Sequence, residues 1–469
     1  MKSKSILCSL FAMLVLLPFA AICQEAPRAA VWLTTQNRSS LFAKQPDLLH
    51  FSRAENNSPT IAVNDKEKFQ SVDGFGFAMT DGSAQLLMQM GQPERSVLLR
   101  RLFSTQGADI GASYLRLTIG ASDMNANVFS YDDMPAGETD PDLKKFSLAP
   151  DGVNLIPVLK EVLAINPRIK FLASPWSAPP WMKTNDSAKG GHLKPEYYKA
   201  YANYLVKYIE GMKAAGITID TITVQNEPLN PKNTPSMVMF ANEEGQFIKN
   251  DLGPAFQKAG IQTKILLYDH NPDVPSYVLS ILKDPGAAKY VDGSAWHLYG
   301  GDISALSEVH DAFPDKKIYF TEQTITEPPG SSSIDIAEPV SGVVIGATRN
   351  WSRNVLLWNL AADPNDGPHT NDGGCTMCQG AITLDGNKVT FNISYYVVAH
   401  FSKFVRPGSV RIASNHLDQL DNVTFLTPTG KIVLVVANTS NFAKTFNIAF
   451  HGKMTTASLP IGAVATYIW

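Results

Sequence analysis

Two glutamates stand where an apolar run gives way to polar residues. Thr221-Ile-Thr-Val-Gln-Asn-Glu-Pro228 alternates like a strand up to Gln225. It then stops at Asn226, Glu227 and Pro228, because proline cannot donate to a sheet ladder. Lys317-Ile-Tyr-Phe-Thr-Glu322 is a second apolar run that ends in glutamate. Two carboxyl groups held at strand ends can flank an acetal carbon, one giving a proton to the departing oxygen and the other attacking the carbon. That is the chemistry of glycosidic bond cleavage. Glu227 is read as the acid/base and Glu322 as the nucleophile. Glu327, in Thr326-Glu-Pro-Pro-Gly330, rivals Glu322, but a Pro/Gly loop holds a side chain less rigidly than a strand end. The acid needs a proton at rest, so burial or the charge of Glu322 is expected to raise the pKa of Glu227. Arg116 is the candidate to keep Glu322 ionised, with a plain barrel salt bridge as its alternative role, and His297 could donate a hydrogen bond there. Asp269, His270 and His297 offer a different chemistry, a metal-activated water. No HExxH-type ligand spacing supports it, so neither a metal nor a cofactor is expected.

The elements that must position these groups alternate between strand and helix. Candidate strands are Gly74–Thr80, Tyr114–Ile119, Lys170–Ser174, Thr221–Gln225, Lys264–Tyr268, Gly293–His297, Lys317–Thr321 and Asn354–Trp358. Most are separated by enough chain for a crossover helix. The clearest helix is Pro195–Ala215, with Tyr198, Tyr201, Leu205, Ile209 and Met212 on one face and Gly216 as its stop. Eight parallel strands bury both faces and leave no edge only if they close, so the fold class is α/β with a (β/α)8 barrel. The glutamates then follow the fourth and seventh strands, which face each other across the mouth. A carboxyl separation of about 5 Å, and hence retention of configuration, becomes feasible. Beyond Arg406 short strands take over: Val410–Ala413, Val423–Thr427, Lys431–Val436, Phe446–Phe450 and Ala463–Trp469. They read as a β-sandwich. Ala29–Thr35 and Thr60–Val63 lack barrel partners and are expected to complete it. The expected organisation is a leader over 1–23, sandwich strands within 24–68, the catalytic barrel over 69–405 and the C-terminal sandwich over 406–469.

Composition bounds the partners. The chain of 469 residues is 44% hydrophobic and 18% charged, with a net charge of −3 and no basic cluster, which disfavours nucleic acid. Lys2 and Lys4 precede an apolar run from Ile6 to Ala21, too short for a stable membrane span and suited to a cleaved secretory signal. The protein is therefore expected to be secreted or periplasmic, with surface anchoring through a lipidated Cys23 as the alternative. Cys375 and Cys378, in the Gly-rich GGCTMCQG segment, read as a local disulfide in an exported protein.

At these residues the chain resembles glycoside hydrolase family 30, which includes glucosylceramidases and β-1,6-glucanases. The resemblance runs from about Gln70 to about His400. It is carried by Gln70-Ser-Val-Asp-Gly-Phe-Gly-Phe-Ala-Met-Thr-Asp81, by Leu115-Arg116 with Ala121-Ser-Asp123, and by Phe171-Leu-Ala-Ser-Pro-Trp-Ser-Ala-Pro-Pro-Trp-Met-Lys-Thr184. Asn226-Glu227-Pro228, Ala295-Trp-His-Leu-Tyr299, Phe320-Thr-Glu322 and Trp358-Asn359-Leu360 follow in the family's order. The resemblance implies a retaining β-glucoside hydrolase with a carbohydrate substrate, such as a β-glucan, an oligosaccharide or a glucolipid. It implies that Asp123 and Trp176 hold sugar hydroxyls, Asn226 contacts the 2-hydroxyl, Tyr299 orients Glu322 and Trp358 walls the sugar pocket. Arg116 and His297 join that substrate-binding set. Core packing is the alternative for Trp176 and for Trp181. Leu298 and the loop from Asp363 to Cys378 depart from the glucosylceramidase pattern, and Asn371 is the candidate for that family's further loop asparagine. A silent carbohydrate-binding protein on the same scaffold is the competing reading, although such a protein has no need of both carboxylates.

Overall fold

The computed structural model describes residues 27–53, 56–328 and 330–469, so the expected leader over 1–23 lies outside the described residues. Eight parallel strands close into a barrel: Gly74–Met79, Tyr114–Ile119, Lys170–Pro175, Thr221–Thr223, Lys264–His270, Val291–Trp296, Lys317–Phe320 and Ser352–Leu357. The last pairs with the first, Asn354 opposite Gly74. The helix expected over 195–215 forms as a 3₁₀ turn, Pro195–Tyr197, continued by the α-helix Tyr198–Ala214. Its Tyr201, Leu205, Ile209 and Met212 are buried, which accounts for the aromatic stripe as packing.

Strand periodicity positions the site. Tyr114, Leu172, Ala295, Tyr319 and Leu356 form an apolar layer inside the barrel. Successive inward side chains lie two residues apart. The next inward positions are therefore Arg116, Ser174, His297, Thr321 and Trp358, a layer of polar and aromatic groups at the C-terminal mouth. The fifth strand breaks this parity. Its pairing with the sixth shifts between Tyr268 and His270, and Tyr268 and Asp269 both have positive φ. That bulge turns Asp269 inward where the register would have placed Tyr268. Glu244 holds the bulge by accepting the Tyr268 N–H at 3.2 Å.

The second domain is a sheet in which Arg28–Thr34 pairs with Val464–Ile468, and Thr60–Ser71 bridges Val410–Ser414 and Lys444–Phe450. The N-terminal strands thus complete the C-terminal sheet. Alternation in Ile432–Asn438 explains the docking. Ile432, Leu434 and Val436 face the sandwich core, whereas Val433, Val435 and Ala437 join the barrel core. A strand not read from the sequence, Lys453–Leu459, pairs with Lys444–Phe450. A small sheet of Ala361–Ala362, Ile382–Asp385 and Lys388–Phe391 follows the eighth barrel strand and brackets the Gly-rich loop. Among the described residues no helix is long and apolar enough to cross a membrane.

Candidate active site

The polypeptide delivers Glu227 from a constrained turn. After Thr223 the chain leaves the ladder. The Asn226 N–H then donates to the Pro175 carbonyl at 2.8 Å, and the Glu227 N–H to the Asp269 carbonyl at 3.0 Å. Glu227 itself sits at φ 45°, a left-handed conformation unusual for a residue with a Cβ and the kind of strain that functional sites hold in place. Glu322 follows Thr321, whose hydroxyl donates to Asp269 Oδ1 at 2.6 Å. Single ligand atoms of Glu227, His297 and Glu322 all lie within 4.8 Å of one another. The two glutamates therefore meet across one gap.

A fully buried guanidinium underlies the pair. Arg116 reaches Glu322 Oε2 at 2.5 Å, Asp269 Oδ2 at 2.8 Å, Asn226 Oδ1 at 2.7 Å and Ser174 Oγ at 3.2 Å. His297 joins the same network, with Nδ1 3.2 Å from Glu227 Oε1 and 3.6 Å from Glu322 Oε1, and Nε2 3.1 Å from Asp269 Oδ1. The Asn230 amide donates to Glu227 Oε2 at 2.7 Å, and the Tyr299 hydroxyl to Glu322 Oε1 at 3.1 Å. Asp269 is the hub, since Ser174 and Thr223 also donate to it.

The protonation pattern reverses the sequence expectation for Glu227. Burial does push its carboxyl up, but the His297 hydrogen bond and charge, the charge of His270 and the Asn230 hydrogen bond bring it down to about 2. Burial raises Glu322, against the lowering charges of His297 and Arg116. Burial depresses His297, yet Glu322, Asp269 and Glu227 together lift it to about 9. Without substrate, the proton of the Glu227–His297 pair therefore resides on the imidazole. Burial, then the charges of Glu322 and Glu227, push Asp123 up to about 8, so its carboxyl is neutral at pH 7.

A cavity of about 670 Å³ opens over the pair. Asp123, Trp176, Asn226, Tyr299 and Trp358 line it together with both glutamates. Arg116 and His297, grouped above with the substrate-binding residues, are instead wholly buried behind the carboxylates and contact those rather than the cavity. Trp176 and Trp358 stack with ring centroids 5.3 Å apart, and the Arg116 guanidinium lies 4.8 Å from the Trp176 ring. Trp181 packs on Tyr197 and donates to the Asp132 carbonyl, away from the cavity. Glu327 pairs with Arg38 and accepts the Ile393 N–H at the start of helix Ile393–Ser402, which explains it without catalysis. Asn371 is exposed and lines no part of the cavity. Cys375 and Cys378 form a disulfide and pack with Trp176 and Trp358.

Sequence reasoning missed Asn230, Asn271 and Thr324 as cavity residues and named Asp269 and His270 only as possible metal ligands. Asp269 is already committed to Arg116, His297 and three hydroxyls. Among the described residues, the one group of three side chains placed to offer atoms to a cation is Glu227, His297 and Glu322.

The Glycosyl hydrolase family 30 TIM-barrel domain matches residues 72–405, and the Glycosyl hydrolase family 30 beta sandwich domain matches residues 408–467. An endo-1,6-beta-D-glucanase of Neurospora crassa is 39% identical over 363 residues, which span 75% of this chain and 74% of that protein. The lysosomal acid glucosylceramidase of Mus musculus is 31% identical over 440 residues, 87% of this chain and 83% of that one. A solved endo-beta1,6-glucanase structure superposes with a TM-score of 0.87 at 34% identity, covering 94% of this chain and 99% of that one. The chain belongs to glycoside hydrolase family 30 and is an O-glycosyl hydrolase with a carbohydrate substrate.

Proposed function

We propose that this chain is a retaining β-glucoside hydrolase whose natural bond is a β-1,6 linkage between glucosyl units. The observation that carries the retaining reading is the separation of at most 4.8 Å between the carboxyl atoms of Glu227 and Glu322. In the first step a Glu322 oxygen attacks the anomeric carbon, the bond to the leaving oxygen breaks, and that oxygen takes the proton of Glu227. In the second, water attacks the same carbon, its proton passes to Glu227, and the bond to Glu322 breaks. The acid needs the proton that His297 holds in the free enzyme. Sugar entering the cavity displaces water and disfavours the charged Glu227–His297 pair, so the neutral form becomes the better one. Glu227 and His297 thus titrate as a unit.

The sugar under attack is held by the groups beside Glu322. The Trp176 indole N–H is buried and has no partner among the described residues, which suits a sugar hydroxyl. Asn226 uses its oxygen on Arg116 and keeps its NH₂ group for another hydroxyl. The stacked face of Trp358 suits the apolar face of a pyranose. Two of the relatives are named as β-1,6-glucanases, and the greater identity to one of them than to the glucosylceramidase supports the linkage. Proton NMR of the first product formed from a β-1,6-glucan tests both parts. The β-anomer is expected first, and an initial α-anomer overturns the mechanism. Turnover of glucosylceramide without turnover of β-1,6-glucan overturns the linkage.

We also infer export, with residues 1–23 as a cleaved leader. A disulfide between Cys375 and Cys378 supports it, since such bonds persist in oxidising compartments. The mass of the mature N-terminus, recovered outside the cytoplasm, tests this.

A further inference from the structure

The cavity divides around the two glutamates. Asp123, Trp176 and Trp358 lie on the side served by the second, third and eighth strands, where the glycosyl unit is held. An acid that protonates the leaving oxygen must face the leaving group, so that group occupies the sector beside Glu227, after the fourth and fifth strands. This sector is lined by Asn230, Lys232, Asn233, His270 and Asn271, with Leu229 as an apolar member. Its chemistry is that of hydroxyl recognition, and an alkyl aglycone would bury amides and a cation without partners.

His270 is a member of this sector whose imidazole has unspent hydrogen-bonding capacity. It ends the fifth strand, with its ring 6.4 Å from that of His297. Its carbonyl accepts the His297 N–H at 2.9 Å, so the backbone there is fixed. Among the described residues its buried Nδ1 has no partner, and no side-chain hydrogen bond uses the other ring nitrogen. The ring lines the cavity. Burial lowers its pKa, against the raising charge of Glu227, so at neutral pH the imidazole offers one donor and one acceptor.

We propose that His270 is a specificity-determining residue of the leaving-group subsite, where it hydrogen-bonds a hydroxyl of a second sugar and so selects a glycosyl over an alkyl aglycone. The proposal rests on the assignment of Glu227 as the acid and deepens the linkage reading above.

The experiment compares a β-1,6-linked glucose disaccharide with octyl β-glucoside. Both leaving groups are primary alcohols of similar basicity, so the demand on Glu227 is alike and the hydroxyls of the aglycone are the main difference. His270→Ala is expected to lower the ratio of kcat/KM, disaccharide over octyl glucoside, by about 10-fold, the worth of one hydrogen bond to a buried group. His270→Gln should recover part of the ratio, and His270→Phe, which fills the same space, should fall as far as alanine. An equal loss on both substrates, or an unchanged ratio in all three variants, overturns the proposal. A second readout stands apart from the linkage. The glycosyl-enzyme formed from an aryl β-glucoside partitions between water and added glucose. His270→Ala should cut transfer to glucose about 10-fold relative to hydrolysis, and undiminished transfer overturns the subsite. A wild-type enzyme that makes the transfer product but leaves the β-1,6 disaccharide intact overturns the linkage reading alone.

Discussion

Replacing Arg116 by methionine removes the one cation that Glu322, Asp269 and Asn226 share, while keeping much of the volume. The side chain is wholly buried, so water cannot take its place without rearrangement. Asp269 keeps donors in Ser174, Thr223, Thr321 and His297, whereas among the described residues Glu322 keeps the Tyr299 hydroxyl and the nearby imidazole. Breaking a buried ion pair in this way costs about 3–5 kcal/mol, because the His297 imidazolium is then left to balance the carboxylates of Glu322, Asp269 and Glu227. The pH dependence has a definite sign. Burial already raises Glu322 above its ordinary pKa, and losing Arg116 raises it further. Folding then takes up a proton at Glu322, so the stability penalty is greatest at alkaline pH and shrinks as pH falls. The same change moves the acidic limb of kcat/KM to higher pH, since a protonated Glu322 cannot attack. Urea unfolding at several pH values, followed by tryptophan fluorescence, reads the first effect, and aryl β-glucoside kinetics read the second. Arg116→Lys keeps the charge and should move the limb less. A loss of under about 1 kcal/mol at pH 8, where an exposed pair would fall, refutes the argument. So does an acidic limb that stays in place.

Other outcomes follow from the same geometry. Glu227→Ala should reduce turnover of alkyl β-glucosides by about 10²–10⁴-fold and spare aryl glucosides with acidic leaving groups, which need little protonation; an equal loss on both would reassign the acid. Asn230→Ala removes a donor that favours the Glu227 carboxylate, so in the substrate complex, where Glu227 carries the proton, it should hold that proton to higher pH and the alkaline limb of kcat should move up. A downward shift in that profile contradicts the role of Asn230. Trp181→Phe breaks the hydrogen bond to Asp132 at a site away from the cavity, and should cost about 1 kcal/mol of stability with KM kept within twofold. A large rise in KM would make Trp181 part of the sugar site.

The barrel was legible because its strands are short apolar runs, several of which end in a polar group. Glu227 and Glu322 could be read from those ends directly. Asp269 could not be placed, because parity along Lys264–His270 puts Tyr268 inward and only the bulge at positive φ corrects it. Lys453–Leu459 escaped notice because its buried positions are Thr455, Ala457 and Leu459, which give little hydrophobic contrast. The N-terminal strand extends to Ser71 through Asn64-Asp-Lys-Glu-Lys68, a polar stretch without an apolar face to reveal it. The proton balance of the site was beyond sequence altogether. It depends on His297 lying between two carboxylates contributed by distant strands, and no local pattern records that distance.

An activated 2-deoxy-2-fluoro-β-glucoside slows breakdown of a covalent glycosyl-enzyme enough for it to be isolated, digested and mapped by mass spectrometry. The sugar is predicted on the peptide that contains Glu322, as an ester of that side chain. A label on Glu327 or any other residue, or turnover with no covalent species at all, would contradict the account at its centre.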